Sequence, residues 1–237
     1  MRFLSAGTTH VGLKRQHNED ALLDARDRAL WVVADGMGGH EAGDVAAKMV
    51  VDRLGQDLSE GTVEDRLDRA SAILEKVNDE LVAMAQEGGK SGTIGTTVVG
   101  LVLEEAKFGV FWAGDSRAYR VRDGAIAQLT RDHSLVQDLV DAGMLAIEDA
   151  EHHPDANVVT RAVGAKETLK VATRIGDAQS GDIFVIASDG LTKVVEKFEI
   201  LDIVTSRNPM QAVDALLDMT LQRGAPDNVT MQVIRVG

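Results

Sequence analysis

No cysteine occurs among the 237 residues of the chain. Disulfides, thiolate zinc sites and cysteine nucleophiles are therefore excluded, and the composition suits the cytoplasm. Aromatic residues make up only 3% of the chain, so its core must come from Val, Leu, Ile, Ala and Met within the 44% hydrophobic total. Prolines number three, and no Gly/Ser-rich linker, repeat or low-complexity tract interrupts the sequence. A single domain over residues 1–237 is the expectation. No segment approaches the roughly 20 consecutive apolar residues of a membrane span, and the first ten residues lack the apolar run of a signal peptide. Basic residues are in deficit: 25 Lys and Arg face 38 Asp and Glu, a net charge of −13. Such a surface repels nucleic acid and anionic lipid, which argues against both as partners. No apolar stripe is left over for a partner subunit, so a monomer is expected.

The apolar residues that are present fall into recognisable periods. Leu30 to Ala34 is a continuous apolar run ending in Asp35-Gly36, which reads as a buried strand entering a loop. Residues near 40–58 read as a helix. Over 63–86, Val63, Leu67, Ala70, Leu74, Val77, Leu81 and Met84 recur at three and four, the core face of a long helix. Thr96 to Leu103, Phe108 to Ala113 and Ser116 to Arg122 read as an antiparallel meander, with a hairpin turn at Asp123-Gly124. A short helix over 133–142 ends at Gly143, and 145–168 is a polar, irregular surface flap. Ile183 to Ala187 repeats the first design, a buried strand running into Asp189-Gly190. Helices near 196–206 and 209–223 and a strand over 229–236 complete the chain. Strands in blocks and helices in pairs predict an α+β fold, two antiparallel sheets flanked by helix pairs in a four-layer α-β-β-α sandwich.

The chemistry lies in where the carboxylates stand. Asp35, Asp115, Asp189 and Asp227 each sit where a strand meets a turn, and Glu19-Asp20 precedes the apolar Ala21-Leu22-Leu23. One such Asp is ordinarily a turn residue or cap. Several together suggest a shared cation, because a carboxylate at the end of an apolar strand is costly without a partner. Oxygen donors without cysteine select Mg²⁺ or Mn²⁺ over zinc. Two such ions about 4 Å apart can share a water and lower its pKa toward neutrality, so no side-chain nucleophile is needed. Aspartyl-nucleophile chemistry would require an Asp-x-Asp pair, and the chain has none.

These residues also form ordered motifs. Arg15-Gln16-His17-Asn18-Glu19-Asp20, Val33-Ala34-Asp35-Gly36-Met37-Gly38-Gly39-His40, Gly95-Thr96-Thr97, Gly114-Asp115-Ser116-Arg117, Ser188-Asp189-Gly190-Leu191 and Asp227-Asn228-Val229-Thr230 occur in succession. Together they resemble the metal-dependent type 2C protein phosphatases, over about residues 5–236. The resemblance implies hydrolysis of phosphoserine and phosphothreonine by a hydroxide bridging two Mn²⁺ or Mg²⁺ ions. Asp35 would bridge the ions, the Gly36 carbonyl would complete the first, and Asp189 and Asp227 would hold the second. Glu19 and Asp20 would order bound waters or ligate directly. Asp115 matches a position that helps hold a third, weaker ion in bacterial relatives. Arg15 matches the phosphate-binding residue, a role that suits the guanidinium fork. Met37 stands where eukaryotic members often carry a proton-donating His, so His40 or a bound water would supply that proton, although His40 by itself reads first as a helix-start residue. Arg117 and Arg161 read as structural ion pairs, and His133 as a helix-start or packing residue. The resemblance further implies phosphoprotein substrates, a cognate Ser/Thr kinase as partner, and substrate choice through the 145–168 flap. A catalytically silent, phosphoprotein-binding relative is the alternative, although such relatives usually lose the metal carboxylates.

Overall fold

A computed structural model describes residues 2–38, 42–87 and 94–237. In chain order, strands β1 (Phe3–His10), β2 (Asp20–Ala25) and β3 (Leu30–Met37) precede helices α1 (Ala42–Asp57) and α2 (Val63–Glu87). Strands β4 (Gly95–Thr96), β5 (Val98–Glu104), β6 (Lys107–Ala113), β7 (Arg117–Arg122) and β8 (Ala125–Gln128) lead to helix α3 (Leu135–Asp141). After β9 (Ala172–Asp177) and β10 (Ile183–Ala187) come α4 (Asp189–Thr192), α5 (Lys197–Ser206), α6 (Pro209–Gln222) and β11 (Val229–Val236). One sheet runs β1-β11-β10-β7-β8 and the other β2-β3-β5-β6-β9, with β4 paired to β3. Every pairing between these strands is antiparallel. Helices α1 and α2 cover the second sheet, and α5 and α6 cover the first, giving the expected α-β-β-α sandwich.

Alternation along the strands builds three apolar layers. On β3, Leu30, Val32 and Ala34 face α1 and α2, whereas Trp31 and Val33 face the opposite sheet. From Leu30 to Ala34 both faces are buried, which is why that stretch is apolar at every position. The layer between the sheets is filled by Trp31, Val99, Leu101, Phe108 and Val110 from one side and Phe184, Ile186 and Ile234 from the other. Gln232 interrupts it, and its Nε2 donates to the carbonyls of Leu23 and Val32, tying β11 to the facing sheet. On α2, Leu67, Leu74 and Leu81 are almost wholly buried, each burial contributing roughly 2 kcal/mol. Met84 departs from the expected stripe and is exposed.

Local signals set the boundaries. Ser134 caps α3 by accepting from Gln137 N–H, and Gly143 beyond it takes a left-handed φ of 68°. Asn208 caps α6, with Pro209 in the first turn. Asp123 and Gly124 both adopt positive φ in the β7–β8 hairpin, as a type I′ turn requires. The expected meander is corrected: β5 and β6 pair, but β6 next pairs with β9, and β7 joins the other sheet. Gly114, at φ 124°, turns the chain from one sheet to the other. The 145–168 segment is also less irregular than expected, with a 3₁₀ turn over Ile147–His152 and Val163 buried in a bridge to Thr96.

Candidate active site

The layer between the sheets is apolar along its length and turns acidic at one end. Continuing the alternation of β3 past Trp31 and Val33 places Asp35 on the inter-sheet face, still within the strand. The expected loop at Asp35-Gly36 is thus a strand continuation, held because Gly36 pairs with Thr96. Asp20 of β2 lies directly opposite Asp35. On β10 and β11, the step after Phe184 and Ile186 is Ser188, and the step before Gln232 is Thr230. Ser188 Oγ donates to Asp20 Oδ2 at 2.9 Å and accepts from Thr230 N–H at 3.0 Å. Thr97 continues the same face of β5; its N–H donates to the Asp35 carbonyl at 2.8 Å, and its hydroxyl meets Ser116 Oγ at 2.7 Å.

A cavity of about 600 Å³ opens over this end, lined by Arg15, Glu19, Asp35, Gly36, Asp115, Asp189 and Asp227 among others. Asp20 lies beneath, with Oδ1 buried and unpartnered, as is Glu19 Oε1. Unsatisfied carboxylate oxygens at buried positions call for a cation. Asp35 is only half-buried, facing the cavity, but protein surrounds its other sides. Burial, then the charges of Asp20, Asp189, Asp115 and Asp227, hold its carboxyl well above the usual range. Burial likewise raises Asp20 to about 7, with Asp189 and Asp227 adding to the rise against the opposing hydroxyls of Thr230 and Ser188. Asp115 is raised to about 6, by burial and by Asp189. These are the pKa directions of carboxylates crowded for a positive charge.

Two side chains supply positive charge. Arg15 grips Asp227 with a two-pronged bond, Nε to Oδ1 at 2.8 Å and Nη2 to Oδ2 at 2.7 Å. Lys193 Nζ lies 2.6 Å from Asp189 Oδ2 and 3.8 Å from Asp115 Oδ2. With Asp227 and Asp189 held this way, no three described Asp, Glu or His side chains close around one point as they stand. The donor set nevertheless fits hard divalent ions: oxygens only, several buried, two without partners.

Backbone packing fixes the carboxylates closely. A Cβ on Gly36 would fall 2.2 Å from the Gly43 carbonyl oxygen and 2.5 Å from that of Glu19. Only glycine lets β3, α1 and the Glu19 backbone converge here. Asn228 clamps the same corner, accepting from Glu19 N–H at 2.9 Å and donating to the carbonyls of Val11 and His17. Sequence reading did not single out Lys193, although its place four residues after Asp189 on one helical turn was visible. Nor did it single out Asn157, from the 145–168 segment, which accepts from Lys193 Nζ at 2.7 Å.

The remaining candidates divide. Arg117 pairs with Asp132 as expected, at 2.7 Å. Arg161 forms no ion pair among the described residues, against expectation; its Nη1 meets His133 Nε2 and donates to the Lys170 carbonyl. His133 packs by stacking on Trp112, and its Nδ1 accepts from Gly114 N–H. Burial and the charge of Arg161 depress its pKa to about 4, so it is neutral at physiological pH. His40 and Gly39 lie outside the described residues. Among the described residues no helix is long and apolar enough to cross a membrane.

A sequence model of protein phosphatase 2C matches residues 6–232. The serine/threonine phosphatase Stp of Listeria innocua is 34% identical over 234 residues, 95% of this chain and 93% of that protein. Among solved structures, PppA, described as a key regulatory component of T6SS in Pseudomonas aeruginosa, superposes with a TM-score of 0.93 at 40% identity, covering 100% and 99% of the two chains. The catalytic domain of the serine/threonine phosphatase PstP, solved with two manganese ions, gives 0.87 at 30% identity, covering 99% of each. A match that runs through every strand bearing a carboxylate of the pocket leaves one assignment: the chain belongs to the protein phosphatase 2C family and is a protein phosphatase.

Proposed function

We propose that this phosphatase hydrolyses phosphoserine and phosphothreonine esters of proteins at a centre of two Mn²⁺ or Mg²⁺ ions. The observation that carries the reading is one cavity floored by Asp35, Asp115, Asp189 and Asp227, with unpartnered oxygens of Asp20 and Glu19 buried beside it. Asp35, the Gly36 carbonyl, Asp189 and Asp227 are the proposed ligands, and Glu19 and Asp20 accept from the ions' waters or ligate directly. When bound, the ions supply an activated water and neutralise the phosphate charge that an acidic pocket would otherwise repel.

The chain's own residues do the positioning. Arg15 is more than half exposed and reaches over the pocket to Asp227. With a metal holding Asp227, the Arg15 guanidinium would be free to grip two phosphate oxygens and aim the ester for in-line displacement. His40, shortly after β3 in sequence, is the candidate donor to the leaving oxygen, with a bound water as its substitute. Residues 1–237 act as one catalytic unit, a cytoplasmic monomer whose substrates include proteins modified by a cognate Ser/Thr kinase. Asn157 and Val159 line the cavity, which supports substrate choice through the 145–168 segment.

Purified protein assayed on para-nitrophenyl phosphate and on a phosphothreonine peptide, with Mn²⁺, Mg²⁺ or EDTA, tests this directly. Metal-dependent release from both is expected. Full activity in excess chelator would sink the metal mechanism, and no release with either metal would favour the silent relative.

A further inference from the structure

Cations are distributed unevenly around the pocket. Arg15 reaches Asp227 from a largely exposed position. Lys193 is different. It closes the single turn of α4, where its N–H donates to the Asp189 carbonyl, and its side chain folds back over that turn. Nζ then meets three oxygens: Asp189 Oδ2 at 2.6 Å, Asn157 Oδ1 at 2.7 Å and Asp115 Oδ2 at 3.8 Å. The first two are hydrogen bonds, and the third is an ion-pair contact. Among the described residues, no other cation lies within 4 Å of Asp115 or Asp189. The Asp115 side chain is only 7% exposed, and Lys193 is the one cation within 4 Å of it among the described residues.

We infer that the Lys193 ammonium is a resident cation of this active site and takes the place of a third metal ion between Asp115 and Asp189. The inference rests on the two-metal reading above. Asp189 Oδ1 is left for a metal while Oδ2 serves Lys193, so the lysine is compatible with the proposed second ion. It is not compatible with a further divalent ion between Asp189 and Asp115, which would set two positive charges against each other in one enclosure. Lys193 also ties Asn157 to the carboxylates, so the 145–168 segment is fastened to the site by a side chain.

The test counts bound ions instead of turnover. Mn²⁺ is titrated calorimetrically into chelator-stripped wild type, Lys193→Met and Lys193→Met/Asp115→Asn, with circular dichroism to verify folding. Two ions per chain are expected for wild type, three for Lys193→Met with the added ion the weakest, and two again for the double variant. Lys193→Gln gives the same reading should the Met variant not fold. Three ions in wild type, or only two in both folded single variants, would overturn the inference. Fewer than two in folded wild type would instead bring down the two-metal reading, and this inference with it.

Discussion

Without metal, the protein should lose stability as pH rises through neutrality, and Asp20 is the place to measure it. Its carboxyl rests at about 7 in the folded chain against an ordinary 3.8, chiefly through burial. A pKa raised by folding means that the folded state holds a proton the unfolded state has released. The resulting stabilisation is complete below about 3.8 and is lost as pH climbs through about 7. From pH 5 to pH 8 the loss attributable to Asp20 is at most about 3 kcal/mol, at 1.36 kcal/mol per pH unit up to its folded pKa. For a chain of this size that corresponds to roughly 6–12 °C in Tm. Asp20→Asn isolates the effect, since the amide oxygen can still accept from Ser188 Oγ and the group no longer ionises. In EDTA, wild type should fall relative to Asp20→Asn by this amount between pH 5 and pH 8, measured by thermal or urea unfolding. Added Mn²⁺ should restore much of the loss for wild type at pH 8. If the two proteins track each other across the range, or wild type gains on the variant, the carboxylate crowding argued here is wrong.

Asp35→Asn, Asp189→Asn and Asp227→Asn should each abolish phosphopeptide turnover, and a wild-type rate in any of them would overturn the ligand set. Arg15→Ala should raise the phosphopeptide KM about 10- to 100-fold, the range of a lost charge-assisted bond, while tightening Mn²⁺ binding because Asp227 is no longer held. Steady-state kinetics and metal titration read the two opposite signs, and an unchanged KM would remove Arg15 from phosphate binding. Gly36→Ala must displace two backbone carbonyls, 2.2 and 2.5 Å from the new Cβ, so a loss of more than about 2 kcal/mol is expected in urea unfolding, together with loss of activity. Asn228→Ala leaves Glu19 N–H and two carbonyls without their partner and should cost on the order of 2–4 kcal/mol; a neutral result would show that this clamp is not needed.

Two strands that carry the site, β3 and β10, were the easiest to read, for one physical reason. Leu30 to Ala34 and Ile183 to Ala187 are sandwiched on both faces, so every position is apolar and the run stands out. Strands β1 and β9 were not legible. Each is a sheet edge with little buried surface, built from sequences such as Ser-Ala-Gly-Thr-Thr and Ala-Thr-Arg-Ile-Gly-Asp, whose pattern resembles that of a loop. The assumed meander failed because alternation reports which face of a strand is buried, not which sheet it joins. β6 and β7 carry compatible patterns, and the turn at Gly114 alone sends them to different sheets.

The same limit applies within the site. Carboxylates at the ends of apolar strands are visible in a sequence because they break a pattern that burial imposes. Asp35 marks the point at which the Trp31, Val33 alternation changes from apolar to acidic without leaving the inter-sheet face, and Asp20 stands opposite it on β2, with polar Ser188 and Thr230 on the facing strands. The cations break no pattern. Lys193 stands at the end of a short helical turn and looks like any solvated lysine until the fold delivers Asp115 from another sheet connection and Asn157 from the 145–168 segment. Arg15 was legible only through its motif, and its hold on Asp227, 212 residues away, could not be seen in the order of the chain. Negative charge in this pocket is thus written locally, strand by strand, whereas the positive charge that balances it exists only once the two sheets have closed.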